Sequence, residues 1–207
     1  MDRVLCACVA LAFAVPAGSA PNLKDVPDRP YYPTTVGDRW VMELRGSNAG
    51  GEYTQRTTEV VTAVEKNKDG DIIVSVSREV DGKFTPKPAQ MKVSSNGLFR
   101  ISVGETVFDT PYCVLKLPLK SGEKWTSEVK VKAETQTTFK YEVAKEEEVE
   151  VPAGKFRATR INVKADFRGS TSKYTIWYVP QIGSVKEQLE GENSKHVREM
   201  KSFKRGK

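Results

Sequence analysis

The chain reads as an all-β protein, a curved antiparallel sheet or half-barrel built from two similar halves. Three observations predict this. Apolar residues recur every second position: Ile72, Val74 and Val76; Trp125, Val129, Val131 and Ala133; Phe139, Tyr141, Val143, Val149 and Val151; Ile161, Val163, Ala165 and Phe167. Period two is the signature of a strand with one buried and one wet face. Turn-forming pairs separate these runs: Asp69-Gly70, Asp81-Gly82, Asn96-Gly97, Ser121-Gly122 and Ala153-Gly154, and such pairs supply the positive φ that tight hairpins need. The third observation is a recurrence. Residues 33–40, Pro-Thr-Thr-Val-Gly-Asp-Arg-Trp, return in pattern at 118–125 as Pro-Leu-Lys-Ser-Gly-Glu-Lys-Trp.

The elements follow in order. Residues 1–20 have the form of a secretory signal: Arg3, then a short apolar run from Val4 to Val15, then small residues. The run is too short to span a bilayer as a helix. Cleavage fits after Ala17 or after Ala20, and the competing reading is an uncleaved anchor. Residues 21–33, rich in Pro, Asp and Asn, form an extended lead-in to a single all-β domain over 21–207. Its first half covers about 33–103 and its second about 118–190. In each, Pro stops the preceding element, Gly takes a conformation other residues resist, and Trp anchors the strand. Ser47 to Gly51 reads as a longer hairpin loop. Glu142 to Glu150 has the composition of a helix but keeps the parity of Phe139 through Val151, so a strand is expected. A second marker, Val-x-x-x-Gly, stands at Val93–Gly97 and again at Val179–Gly183. The alternative to duplication is that one local solution for entering a strand occurs twice.

Composition narrows the function. The chain has a net charge of +6. Glu146, Glu147, Glu148 and Glu150 form an acidic run, and Lys195, Arg198, Lys201, Lys204, Arg205 and Lys207 make the C-terminus basic. Both read first as solvated faces and second as attraction to anionic envelope polymers or head groups. The basic residues are not interleaved with aromatic stacking platforms, which argues against nucleic acid. Cys6 and Cys8 lie in the signal, so the mature chain keeps only Cys113 and has no internal disulfide. No segment after the signal is apolar enough to cross a membrane as a helix.

Candidate chemistry is sparse. The one histidine, His196, has no Cys or His at metal spacing. Cys113 lies in an apolar strand, Tyr112 to Leu117, and reads as buried and inert. Nucleophile elbow, phosphate loop and His-Glu-x-x-His are all absent. No catalytic residue, metal site or cofactor is therefore assigned. The aromatics next to Pro or Gly corners remain. Trp40, Trp125, Trp177 and Tyr178 are the candidate ligand-binding residues. They act either as core anchors at the ends of a rolled sheet or as the walls of an apolar pocket in its mouth.

Three stretches, 31-Tyr-Tyr-Pro-Thr-Thr-Val-Gly-Asp-Arg-Trp-40, 149-Val-Glu-Val-Pro-Ala-Gly-Lys-Phe-156 and 177-Trp-Tyr-Val-Pro-Gln-Ile-Gly-Ser-Val-Lys-186, resemble a group of uncharacterised exported bacterial β-sheet proteins. Members open on Tyr-x-Pro-x-x-x-Gly-x-x-Trp, carry a Val-Pro-Ala-Gly-x-Phe hairpin and close on Trp-Tyr-x-Pro-x-x-Gly-x-Val-Lys. Gln181 stands where the closing motif usually has Gly. The resemblance implies a curved antiparallel sheet and neither an enzyme nor a set ligand. By architecture alone the chain is similar to envelope lipoprotein carriers whose half-barrel holds an acyl chain.

The sequence thus describes a non-enzymatic, periplasmic or extracellular binding or scaffold protein of the cell envelope. The expected ligand is apolar, or a lipid, in an open β half-barrel. The alternative is a structural module docking an envelope protein through its sheet edges. A hydrolase built on a carboxylate pair ranks third.

Overall fold

The structure, a computed structural model, describes residues 30–207 except 81, 82, 133, 168, 192 and 193. The signal and its cleavage site, most of the lead-in, Asp81-Gly82 and Ala133 lie outside the described residues. Thirteen strands follow: β1 (Arg39–Asn48), β2 (Gly51–Lys66), β3 (Ile72–Val80), β4 (Lys83–Phe84), β5 (Ala89–Ser94), β6 (Gly97–Val103), β7 (Thr106–Lys116), β8 (Lys124–Val131), β9 (Glu134–Val151), β10 (Gly154–Phe167), β11 (Ser170–Val179), β12 (Gly183–Glu190) and β13 (Lys195–Lys204). No helix occurs among the described residues.

All pairings are antiparallel, in the order β7-β6-β5-β3-β2-β1-β13-β12-β11-β10-β9-β8, with β4 on the flank of β3. Two six-stranded meanders, β1 to β7 without β4 and β8 to β13, are joined where β1 pairs with β13. Curling brings the ends β7 and β8 alongside each other, so the sheet is nearly closed into a barrel. No ladder forms between these two strands among the described residues. Side chains bridge them instead: Ser127 Oγ donates to the Cys113 carbonyl at 2.8 Å and Trp125 Nε1 to the same oxygen at 3.4 Å. The Lys132 amide donates to Asp109 Oδ1 at 3.0 Å.

Register shifts supply the curvature. They fall at Val41/Met42, Val61/Ala63, Leu98/Phe99, Thr159/Ile161 and Trp177/Tyr178, among others. An extra residue on one strand bends it and raises the local twist, which closes a sheet without breaking it.

The run Glu142 to Glu150 lies in β9, as its parity predicts. Helix-favouring composition loses because Val143 and, beyond a bulge that switches the face, Val149 and Val151 are buried, while the glutamates meet cations on β10, as in Arg157–Glu146 at 2.7 Å. Tertiary burial outweighs an intrinsic preference of a few tenths of a kcal/mol per residue. Core residues come from both meanders, including Met42, Val74 and Leu98 from the first and Ile161, Val185 and Met200 from the second.

The two Pro-x-x-x-Gly corners make the same hydrogen bonds. Gly37 N donates to Val61 O at 2.9 Å, Val61 N to Asp38 O at 2.9 Å and Asp38 N to Thr35 O at 3.0 Å. Gly122 N donates to Val143 O at 2.8 Å, Val143 N to Glu123 O at 2.9 Å and Glu123 N to Lys120 O at 3.0 Å. Gly37 and Gly122 adopt φ of +86° and +81°, a region that a Cβ disfavours. Trp40 and Trp125 then stand at the second position of their strands. The acids differ. Asp38 is fully buried. It accepts from Thr35 N at 3.2 Å, Gly206 N at 2.9 Å and Arg205 NH1 at 3.3 Å. The C-terminal segment folds over it, so a corner that looks surface-bound in sequence becomes interior. Glu123 stays half-buried and pairs with Lys116 at 2.8 Å.

Candidate ligand-binding cavity

A cavity of about 220 Å³ lies inside the barrel, against the first meander. Its walls come from distant parts of the chain. Trp40 on β1, Glu59 on β2 and Arg78 on β3 form a cross-strand row. Strand β6 contributes Leu98 and Arg100, with Met91 of β5 opposite Arg100. The second meander contributes Tyr178, Glu187 and Arg198, and the lead-in contributes Tyr32. The lead-in is tied down where Gln181 N donates to Pro30 O at 2.7 Å. Gln181 itself takes φ of +63°, the left-handed conformation for which Gly is usual. At the mouth, Lys87 pairs with Glu105 at 2.7 Å, both exposed.

Apolar and charged side chains share the wall. Glu59 is its hub. Oε2 accepts from Trp40 Nε1 at 2.7 Å, and Oε1 accepts from Arg78 NH2 and Arg198 NH2, each at 2.8 Å. Arg198 NH1 reaches Glu187 Oε1 at 3.1 Å, which also accepts from Ser184 Oγ at 2.7 Å. Burial alone would raise the Glu59 pKa, but the two guanidiniums and the indole N–H outweigh it and hold the carboxyl below its ordinary range. Burial pushes the Tyr32 and Tyr178 phenols well above theirs, so both remain O–H donors.

The four aromatics named from sequence do not form one site. Trp40, with Tyr32 edge-on at 6.3 Å, and Tyr178 line the cavity. Trp125 stacks on Tyr141 at 4.7 Å and helps fill the barrel interior away from the cavity. Trp177 neighbours Tyr178 in sequence and so faces the other side of the sheet, where Nε1 donates to Glu147 at 2.9 Å. Cys113 is half-buried rather than buried, and desolvation pushes its thiol up to about 11, which keeps it protonated and unreactive near neutral pH. His196 sits opposite Gly46 on the β1–β13 ladder and is not part of the cavity wall. Among the described residues, no three His, Cys, Asp or Glu side chains are grouped to hold a metal.

Sequence reasoning missed Glu59, Arg78, Arg100, Glu187 and Arg198. A signal was present. Each is in phase with apolar neighbours that point inward: Glu59 with Val61, Arg78 with Val74 and Val76, Arg100 with Leu98, Arg198 with Met200. A charge at an inward position must be paired or must meet a ligand.

No protein-family model and no curated protein matches the chain. Solved structures do. A candidate exported protein from Bacteroides fragilis, described as having a YmcC-like fold, superposes with a TM-score of 0.58 at 14% identity, over 86% of this chain and 100% of that one. The chain has this YmcC-like fold. A candidate lipoprotein from Parabacteroides distasonis superposes with a TM-score of 0.56 at 17% identity, over 85% of this chain and 99% of that one. At such identities the likeness concerns the YmcC-like barrel and not the charged residues that line its interior.

Proposed function

We propose that this chain is a non-enzymatic, exported binding protein of the cell envelope. Its ligand places an apolar portion in the barrel interior. The observation that carries the reading is the cavity itself, enclosed by strands of both meanders and bordered by Val76, Met91 and Leu98 as well as by charge. The secretory form of residues 1–20 and the description of the fold neighbours as exported protein and lipoprotein support the location. The contacts across the β7–β8 gap favour a carrier over docking by strand addition, since each edge already faces the other. Native mass spectrometry of protein purified from its own host is expected to show one bound amphiphile per chain. Only the bare polypeptide mass, from a protein that also binds no added amphiphile, overturns the reading.

The carrier reading includes a duplicated architecture, with halves at about 33–103 and 118–190. The matching hydrogen bonds at Gly37 and Gly122 support it, as does the equal strand count of the two meanders. Superposition of the halves is expected to lay Trp40 on Trp125 and Val61 on Val143. A superposition that sets these residues on unrelated strands refutes duplication. On this reading Glu59 stands where the second half has Tyr141, because each lies opposite its tryptophan. The stacked pair fills one end of the interior, and the charged hub leaves space at the other.

A further inference from the structure

We infer that the cavity recognises a small amphiphilic carboxylate, with the acid group on Arg100 and the apolar part against Val76, Met91 and Leu98. The inference rests on the carrier reading above and specifies its ligand.

Arg100 is the odd charge in the wall. Three arginines, Arg78, Arg100 and Arg198, face two glutamates. Glu59 is shared by Arg78 and Arg198, and Glu187 by Arg198 and Ser184. Among the described residues no side chain is ion-paired or hydrogen-bonded to Arg100; the Tyr112, Tyr178 and Tyr32 phenols and the Glu187 carboxylate act on it at longer range. Arg100 is half-buried and lines the cavity. Backbone register holds the residue there: Arg100 pairs with Met91 on β5 and with Tyr112 on β7, between Leu98 and Ser102, which are both buried. A guanidinium does not deprotonate in proteins. The structure therefore holds a fixed, preorganised cation in the cavity wall with no carboxylate in direct contact.

The chemistry of the anion follows. A guanidinium fork matches a carboxylate bidentately. The buried phenols of Tyr32 and Tyr178, kept protonated, stand in the same wall as further donors. One uncompensated positive charge favours a monoanion over a phosphate dianion. Roughly 300–1,000 Å³ is usual for a drug-sized ligand, so about 220 Å³ suits a short acid and not a whole lipid.

The test is isothermal titration of the full mature chain with sodium octanoate, 1-octanol and inorganic phosphate, with Arg100→Gln alongside wild type. Octanoate is expected to bind wild type at least tenfold more tightly than octanol or phosphate, and Arg100→Gln to remove that preference. Because Arg100 lacks a partner in the free protein, Arg100→Gln is expected to melt at or above the wild-type temperature. Octanoate should raise the melting temperature of wild type alone. A structural Arg100 predicts the reverse, a lower melting temperature with octanoate preference retained. Three results overturn the inference. Equal binding of octanoate and octanol, both unchanged in Arg100→Gln, leaves an apolar carrier without an acid site. Phosphate binding as tight as octanoate makes the site one for free anions. Binding of none of the three, with bare protein in native mass spectrometry, removes the carrier reading as well.

Discussion

Glu59→Gln is expected to destabilise the protein by roughly 3–5 kcal/mol, the usual cost of removing one partner from a buried ion pair. The amide keeps the volume and an acceptor for Trp40 Nε1, but leaves Arg78 without an ion-pair partner and Arg198 with Glu187 alone. Arg198 carries most of the loss, because its side chain is 18% exposed against 49% for Arg78. For a chain of this size the melting temperature should fall by roughly 6–20 °C. A fall under about 2 °C in calorimetry would sink the claim that Glu59 is the hub. The pH dependence has a definite sign. The folded carboxyl is held below its ordinary range, so its contribution is present above the unfolded pKa of roughly 4.3 and is lost as pH falls through the folded value. Glu59→Gln should therefore lose less stability than wild type between neutral pH and pH ~3. Adding Arg198→Met to Glu59→Gln should recover part of the loss, since a cation that has lost one of its two carboxylates then leaves too.

Trp40→Ala should cost a comparable roughly 3–5 kcal/mol. The indole is 5% exposed, sits edge-on to Tyr32 and donates to Glu59. Its removal enlarges the existing cavity and withdraws a donor from a buried carboxylate. Trp40→Phe separates the two effects. It keeps most of the ring and should cost about 1.5–3 kcal/mol for the charge-assisted bond alone. Trp125→Ala should cost less than Trp40→Ala, because Trp125 is only half-buried and its bond to the Cys113 carbonyl, at 3.4 Å, is long. Denaturant unfolding of the three variants decides the order. If Trp125→Ala proves the more severe, the seam between β7 and β8 holds the barrel more tightly than its hydrogen bonds suggest.

Strand formation was legible because it depends on local alternation. The glutamate-rich part of β9 shows how far that reaches: alternation predicted a strand against composition, and Val143, Val149 and Val151 are all buried, but a bulge after Val143, which alternation does not reveal, puts Val149 and Val151 on the other face. The corners at Gly37 and Gly122 were legible for the same reason, since Pro, a positive-φ Gly and a strand-opening Trp act within a few residues of each other. Asp38 was not legible. Its burial depends on the C-terminal Arg205 and Gly206, which arrive from the far end of the chain.

What the sequence alone determined is therefore the all-β class and the alternation within its strands. Tertiary structure decided how far the sheet closes, because closure depends on register shifts that accumulate across the eleven strand pairings of the sheet path. It also decided that Trp177 and Tyr178 serve opposite faces. Above all it decided where charge enters the interior. An inward Glu59 is an ordinary alternation error until the curl brings Arg198 from the last strand within 2.8 Å of it. An inward Arg100 differs only in that the same curl brings no carboxylate into contact. Partnership across the barrel is a property of the closed sheet, and no single strand contains it.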